Sequence, residues 1–426
     1  MPMFWRLLYN MLVIPLGWIG FQILGLVNHK ARRGLRGRKD LFPNLQTQVA
    51  RLNRHSKRIW FHSSSMGEFE QAKPIIAELK RTHPTVDIIV SFFSPSGFEH
   101  SLNYKLATII TYLPFDSRAN AEQFIDLIKP TAAIVVRYDL WPNHIWALHD
   151  RGIPIYMASA TLRDTTARKL PLLFQFHRAL YDCLNYILTV SETDKAVFES
   201  FRLQRPVLNV IGDTRYDQVK QRSNESRMKH LLPPGVIEHK KLLLIGSSWE
   251  EDERHVLPAC FELLGKHANV LIVLVPHEPN EENLERVENL LNGHATHLRL
   301  SELNDYRQEQ FLIIDSVGIL MALYQYAHVA FVGGSFGEGV HNVLEPAVYG
   351  VPIVFGPNYE NSQEAVQLLK ERGAYVANTA NELLKHLDRL FTDSAERDKA
   401  GRHAKSLVER NTGATMRVLS YLEKVL

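Results

Sequence analysis

Beyond residue 50 the chain alternates short, β-branched apolar runs with amphipathic helical stretches. That rhythm is the mark of parallel β-sheets wrapped by helices, and it restricts the fold class to α/β. In the first half the pattern predicts strands at 58–62, 87–92, 132–136, 153–158 and 187–190, with helices at 70–81, 119–128 and 193–201. The second half repeats it, with strands at 242–246, 270–275, 311–314, 328–332, 353–355 and 375–377. Helices at 251–264, 280–291, 318–324, 342–349, 362–370 and 382–390 intervene, and two more, 394–410 and 415–426, close the chain. Residues 212–235 are polar and end in Pro233-Pro234-Gly235, so they read as the joint. The expected organisation is a terminal segment 1–39, a domain 40–211, a linker 212–235, a second domain 236–410 and a closing helix 411–426. Ligands of such sheets sit at the carboxyl ends of strands.

Composition separates the terminal segment from the rest. The 426 residues are 45% hydrophobic and 22% charged, enough for about two cored domains and incompatible with a disordered or polytopic membrane chain. Two cysteines, Cys183 and Cys260, make neither a disulfide framework nor a four-ligand zinc site and read as buried free thiols. Residues 1–39 hold seven basic groups (Arg6, Lys30, Arg32, Arg33, Arg36, Arg38, Lys39) and no acid; the remainder carries 42 basic against 46 acidic groups. A basic character confined to one end argues against a nucleic-acid-binding surface. From Leu7 to Val27 no residue is charged. A helix of that length spans about 31 Å, close to a bilayer's hydrocarbon core. A cleaved signal peptide lacks its small-residue site here, while a buried soluble helix remains an alternative. The basic run after it predicts a membrane anchor, spanning or lying in the interface, with the bulk of the chain in the cytosol.

Several strand-end loops carry chemistry. His62-Ser63-Ser64-Ser65-Met66-Gly67-Glu68 has the spacing of a capping box, Ser65 with Glu68, which is the commoner arrangement. Its other reading makes Glu68 a general base beside serine and backbone donors. Arg137-Tyr138-Asp139-Leu140-Trp141 follows a strand and fits either ligand recognition or a local ion pair beneath a packed tryptophan. Ser91-Phe92-Phe93-Ser94-Pro95-Ser96-Gly97 reads as a turn with spare hydroxyls, and by itself better as an ordinary strand-end turn. In the second half, Gly246-Ser247-Ser248 runs into a helix whose amino end suits a phosphate, with acids following it; His277 ends the next strand and stands alone. The strongest signal is Gly333-Gly334-Ser335-Phe336-Gly337-Glu338-Gly339-Val340-His341-Asn342-Val343-Leu344-Glu345. Glycines admit close backbone approach, His341 and Asn342 open a helix, and Glu345 is placed to take ribose hydroxyls. There is no Walker A loop, no dinucleotide fingerprint after the first strand, no nucleophile elbow and no metal-ligand spacing.

Together these loops resemble one family, the 3-deoxy-D-manno-octulosonic acid (Kdo) transferases of lipopolysaccharide biosynthesis. The motifs that carry it are 62–68, 94–97, Leu113-Pro114-Phe115-Asp116, 139–143, Gly246-Ser247, 333–335, 341–346 and Phe355-Gly356-Pro357, in matching order over most of the chain. The resemblance implies a GT-B glycosyltransferase, two Rossmann-like doubly wound domains facing a cleft behind an amino-terminal anchor helix. It implies CMP-Kdo as donor substrate, no cofactor or metal, and the lipid A precursor (lipid IVA) as acceptor, at the cytosolic face of the bacterial inner membrane. Glu68 falls on the family's general base. Gly246, Ser247, Ser248, His277, Gly334, Ser335, Gly339, His341, Asn342 and Glu345 would bind the donor, and Ser64, Ser65, Gly67, Arg137 and Asp139 the acceptor.

The chain departs from the family at two places. The family often has an acid where Arg137 stands, and commonly Pro-Arg-His where this chain reads Pro276-His277-Glu278, which leaves His277 as the substitute for an arginine. The alternatives are another GT-B transferase acting on a membrane lipid, a sugar-nucleotide 2-epimerase, or a non-catalytic nucleotide-sugar binder; a binder has no need of Glu68.

Overall fold

The computed structural model describes residues 2–426, and the chain divides into two compact units. The first runs to Gln218 and takes back Thr412–Leu426; the second is Val219–Asn411.

The first unit is built on seven parallel strands: β1 (Arg58–Ser63), β2 (Asp87–Phe92), β3 (Ile109–Tyr112), β4 (Ala132–Val136), β5 (Ile155–Ala160), β6 (Tyr186–Thr189) and β7 (Val207–Val210). Their order is β3-β2-β1-β4-β5-β6-β7, so the direction of winding reverses between β1 and β4. All six residues of β1 and all five of β4 are buried, as a sheet covered on both faces requires. Alternation sorts them: Ile59 and Phe61 enter one core with Phe69, Ile75 and Val90, and Trp60 enters the other with Phe124, Val135 and Met157. The last helix, Ala414–Leu422, seats Val418, Leu419 and Leu422 in the first of these cores. Its entry is fixed by Asp217, which accepts hydrogen bonds from the backbone of Gly413 and Thr415.

The amino-terminal segment is part of this unit. Helical backbone continues from Pro2 to Val27, with one π-helical turn at Tyr9–Val13. The side toward the unit is narrow and largely polar. Arg6 pairs with Asp150 at 2.6 Å, Tyr9 donates to Asp116 at 2.9 Å, and Asn10 exchanges hydrogen bonds with Asn143. Trp5 meets Phe176, and Phe21 meets Phe93 and Phe115. The outward side exposes Met3, Leu7, Met11, Leu12, Leu16, Trp18, Ile19, Ile23 and Val27. Asn28 ends the helix and caps the next, His29–Gly37. The basic flank is therefore not uniformly free. Arg38 is buried, donating to the carbonyls of Leu113 and Phe93, and burial lowers its pKa to about 10; Arg33 pairs with Glu99.

The second unit repeats the plan with β8 (Lys241–Ser248), β9 (Val270–Pro276), β10 (His297–Arg299), β11 (Phe311–Ile313), β12 (Val329–Val332), β13 (Ile353–Phe355) and β14 (Ala374–Val376). Their order is β10-β11-β9-β8-β12-β13-β14, all parallel, with the reversal between β8 and β12. Residues 212–235 correct the expected linker: Thr214–Ser226 is a helix, and the division between units falls inside it. Cys183 and Cys260 are buried and unpaired, and burial pushes the Cys183 thiol up to about 11.

Candidate active-site loops of the two units

In doubly wound sheets the strand loops diverge at the point of reversal and leave a crevice there. In the first unit that point lies between β1 and β4, whose following loops carry Ser64–Glu68 and Arg137–Trp141. The loop after β2 joins them: Ser94 N–H donates to the Ser64 carbonyl, and Phe93 stacks on Trp141 at 4.5 Å. Glu68 sits in the first turn of helix Met66–Thr82 and forms the capping box with Ser65. Its Oε2 accepts from the Ser65 N–H at 2.9 Å and from the Ser65 hydroxyl. Oε1 makes no hydrogen bond among the described residues, and the side chain is half-buried. One carboxylate thus caps with one oxygen and keeps the other. Gly67 is exposed beside it.

Of the two readings of the Arg137–Trp141 loop, the local ion pair between Arg137 and Asp139 does not form. Arg137 holds a left-handed φ of 68°, its Nε is buried without a partner, and its guanidinium faces the Tyr138 ring at 5.7 Å. Asp139 instead accepts from Trp141 Nε1 at 3.1 Å and lies 3.7 Å from His62 Nε2. The hydroxyl oxygen of Ser64 is also buried and unpartnered. Ser94–Gly97 is no spare-hydroxyl turn: Ser94 caps helix Pro95–Ser101 by accepting from Gly97 N–H at 3.0 Å.

In the second unit the reversal falls between β8 and β12, whose loops carry Gly246–Trp249 and Gly333–Glu345. A cavity of about 250 Å³ opens there, lined among others by Arg222, Ser247, Tyr324, His341, Asn342 and Glu345. Gly246 is required where it stands, since a Cβ would lie 2.1 Å from the Tyr324 hydroxyl. Gly334 is held at a φ of 82° with the Gly339 carbonyl 2.4 Å from where its Cβ would be. Glu345 accepts from Asn342 Nδ2 at 3.3 Å, and Arg222 lies 3.6 Å from it. Trp249 Nε1 donates to His341 Nε2 at 2.8 Å, so the neutral ring carries its proton on Nδ1. Burial, with His277 stacked 4.5 Å away, lowers the His341 pKa to about 4. His277 is exposed and also stacks on Trp249 at 4.4 Å.

Three expected donor contacts are corrected. Asp252, wholly buried in the first turn of helix Glu250–Lys266, accepts from the N–H groups of Trp249, Gly334 and Phe336 and sets a carboxylate at that helix end. A carboxylate stands where a phosphate was expected. Ser248 turns inward to Glu253, and the Ser335 hydroxyl is used up between the Val332 carbonyl and the Gly356 N–H. Helix Leu344–Tyr349 starts two residues later than expected, because the Asn342 side chain accepts from the Leu344 N–H and holds residues 342–343 outside it. The sequence reading missed Arg222 and Asp252. Arg222 belongs to the stretch taken as linker, and Asp252 is one of four consecutive acids with nothing in the pattern to say which turns inward.

Two wound sheets of this order, each with its polar loops at the reversal, define a two-unit α/β protein of the GT-B type. Solved structures agree on the fold: UDP-GlcNAc 2-epimerase from Neisseria meningitidis superposes with a TM-score of 0.60 at 14% identity over 86% of this chain and 100% of that one. The UDP-GlcNAc 2-epimerase from Methanocaldococcus jannaschii gives 0.53 at 16% over 86% and 99%. The family model of 3-deoxy-D-manno-octulosonic-acid transferase (kdotransferase) matches residues 36–218. The 3-deoxy-D-manno-octulosonic acid transferase of Haemophilus influenzae is 26% identical across 99% of both chains, and that of Chlamydophila psittaci is 26% identical across 79% of this chain and 78% of its own. Residues 36–218 thus match the Kdo transferase family model, and the chain is similar to Kdo transferases over nearly its whole length.

Proposed function

We propose that the chain moves Kdo from CMP-Kdo to the primary hydroxyl of the lipid A precursor lipid IVA, inverting the anomeric centre, at the cytosolic face of the bacterial inner membrane. The observation that carries this is the half-buried Glu68 at the first unit's reversal point, one oxygen anchored and one unengaged, in a chain similar to Kdo transferases. Glu68 Oε1 takes the hydroxyl proton as the acceptor oxygen bonds to the Kdo anomeric carbon; the bond from that carbon to the phosphate oxygen breaks, and CMP leaves with the electron pair. Glu345 takes the ribose hydroxyls, and the Nδ1–H of neutral His341 faces the phosphate.

Charge on the departing phosphate is met in this reading by Arg222, the cation lining the cavity, rather than by the helix end beside which the Asp252 carboxylate stands. Arg222 then stands in for the arginine that this chain lacks beside Pro276. The reading includes no metal; among the described residues no three His, Cys, Asp or Glu side chains gather as a ligand set. The outward face of helix Met3–Val27, apolar for 25 residues, takes up one membrane leaflet. The test is the purified protein incubated with CMP-Kdo and lipid IVA and the product weighed. A gain of Kdo mass is expected, and CMP-Kdo left intact by active, folded protein would refute the reading.

A further inference from the structure

The carboxyl end of β1 carries a side chain that the reaction above does not use. His62 is 2% exposed. Its Nδ1 lies 2.9 Å from the hydroxyl oxygen of Ser91, its register partner on β2, and Trp60 Nε1 donates to that same oxygen at 2.8 Å. The buried Ser91 hydroxyl accepts from that indole and has no acceptor for its own proton among the described residues other than His62 Nδ1. That assigns the ring proton to Nε2. Nε2 is buried with no hydrogen-bond partner, and it points toward Asp139 Oδ2 across 3.7 Å, beyond bonding distance. Trp141, stacked on Phe93, already donates to this Oδ2, while Oδ1 makes no hydrogen bond among the described residues.

We propose that His62 is a positioning residue for acceptor recognition: its Nε2–H closes the 3.7 Å gap to Asp139 Oδ2 when the acceptor binds and, with the indole of Trp141, holds the carboxylate so that Oδ1 accepts a hydrogen bond from a sugar hydroxyl of the acceptor. The inference rests on the transferase reading. It also assigns a specificity, since a carboxylate held here favours a hydroxyl and disfavours the acceptor's phosphates.

The test is steady-state transfer from CMP-Kdo to lipid IVA by the full-length protein, with CMP affinity measured alongside. His62→Leu is expected to raise the acceptor KM about tenfold, the scale of one hydrogen bond to a charged group, and to leave CMP affinity unchanged. His62→Gln, whose amide nitrogen reaches the Nε2 position, should recover most of that loss, and His62→Asn, which reaches only Nδ1, should not. In a double-mutant cycle His62→Leu should add nothing to Asp139→Asn, because the histidine acts through the carboxylate. Multiplying effects, equal recovery by Gln and Asn, or a loss of CMP affinity would each overturn the inference. If His62→Leu does not fold, the Gln and Asn variants decide it alone. Wild-type protein without transfer would bring down the transferase reading and this inference together; an active wild type with a multiplicative cycle removes only this inference.

Discussion

Asp252 holds the second unit's glycine loop by its backbone: three N–H groups from two loops converge on one buried carboxylate. Asp252→Ala strands all three, so a loss of about 1–3 kcal/mol in chemical denaturation and weaker CMP binding are expected; unchanged stability would show the loop to be self-supporting. Arg222→Ala, at a half-exposed side chain, should lower CMP affinity with little change in melting temperature, and calorimetry showing wild-type affinity would remove Arg222 from the donor site. His341 adds a pH dependence. Its folded pKa of about 4 lies below the ordinary 6.5, so between those values the unfolded chain binds more protons. Its contribution to stability is whole above about pH 6.5 and falls away as pH drops toward 4. His341→Gln should flatten that part of the stability profile. Spacing alone made Glu68 the partner of Ser65 in a capping box, which forms, and only the resemblance made it a base; His341 and Glu345 stood out by the glycines before them, and both line the second unit's cavity. Ser335 misled because a hydroxyl in a glycine-rich loop serves backbone groups as readily as ligands. Arg222 was hidden by a polar surrounding that a solvated helix and a linker share.

At the scale of elements, the central strands and the edge strand β14 were legible from their apolar runs, and the other three edge strands were not. β3, β7 and β10 are four, four and three residues long, and each lies at an edge or next to none of the deep core positions that write a pattern. Helices Pro95–Ser101, Pro142–Asp150 and Pro171–Tyr181 were passed over because each begins at a proline. At the first helical position proline's missing N–H costs nothing and its φ is already suitable, so in these places it signals a start. The β8 turn gives a sharp packing test. Gly246→Ala drives a methyl into the Tyr324 hydroxyl and should cost about 1–3 kcal/mol by denaturant midpoint. Tyr324→Phe in the same chain should restore most of it; additive losses would mean that the turn's backbone, not the hydroxyl, demands glycine.

At the scale of the molecule, the amino-terminal helix was legible as long and apolar but not as docked. Its contacts with the first unit run from Trp5 to Phe21, about 24 Å of helix, and leave too little free length to cross a bilayer. In the proposed membrane-bound state both ends then lie on one side. A cysteine at Met3 in sealed inverted vesicles should react with an impermeant maleimide, as should one at Lys39; protection of the first alone would show a spanning helix. In the proposed reaction one carboxylate, Glu68, both caps a helix and takes a proton. Glu68→Gln keeps an oxygen for the Ser65 N–H and discards the base. Kdo transfer by that variant, measured against its CMP affinity, tests this most directly. Transfer lowered by about 10²–10⁴ with CMP affinity and melting temperature held is the predicted result; transfer at the wild-type rate would contradict it.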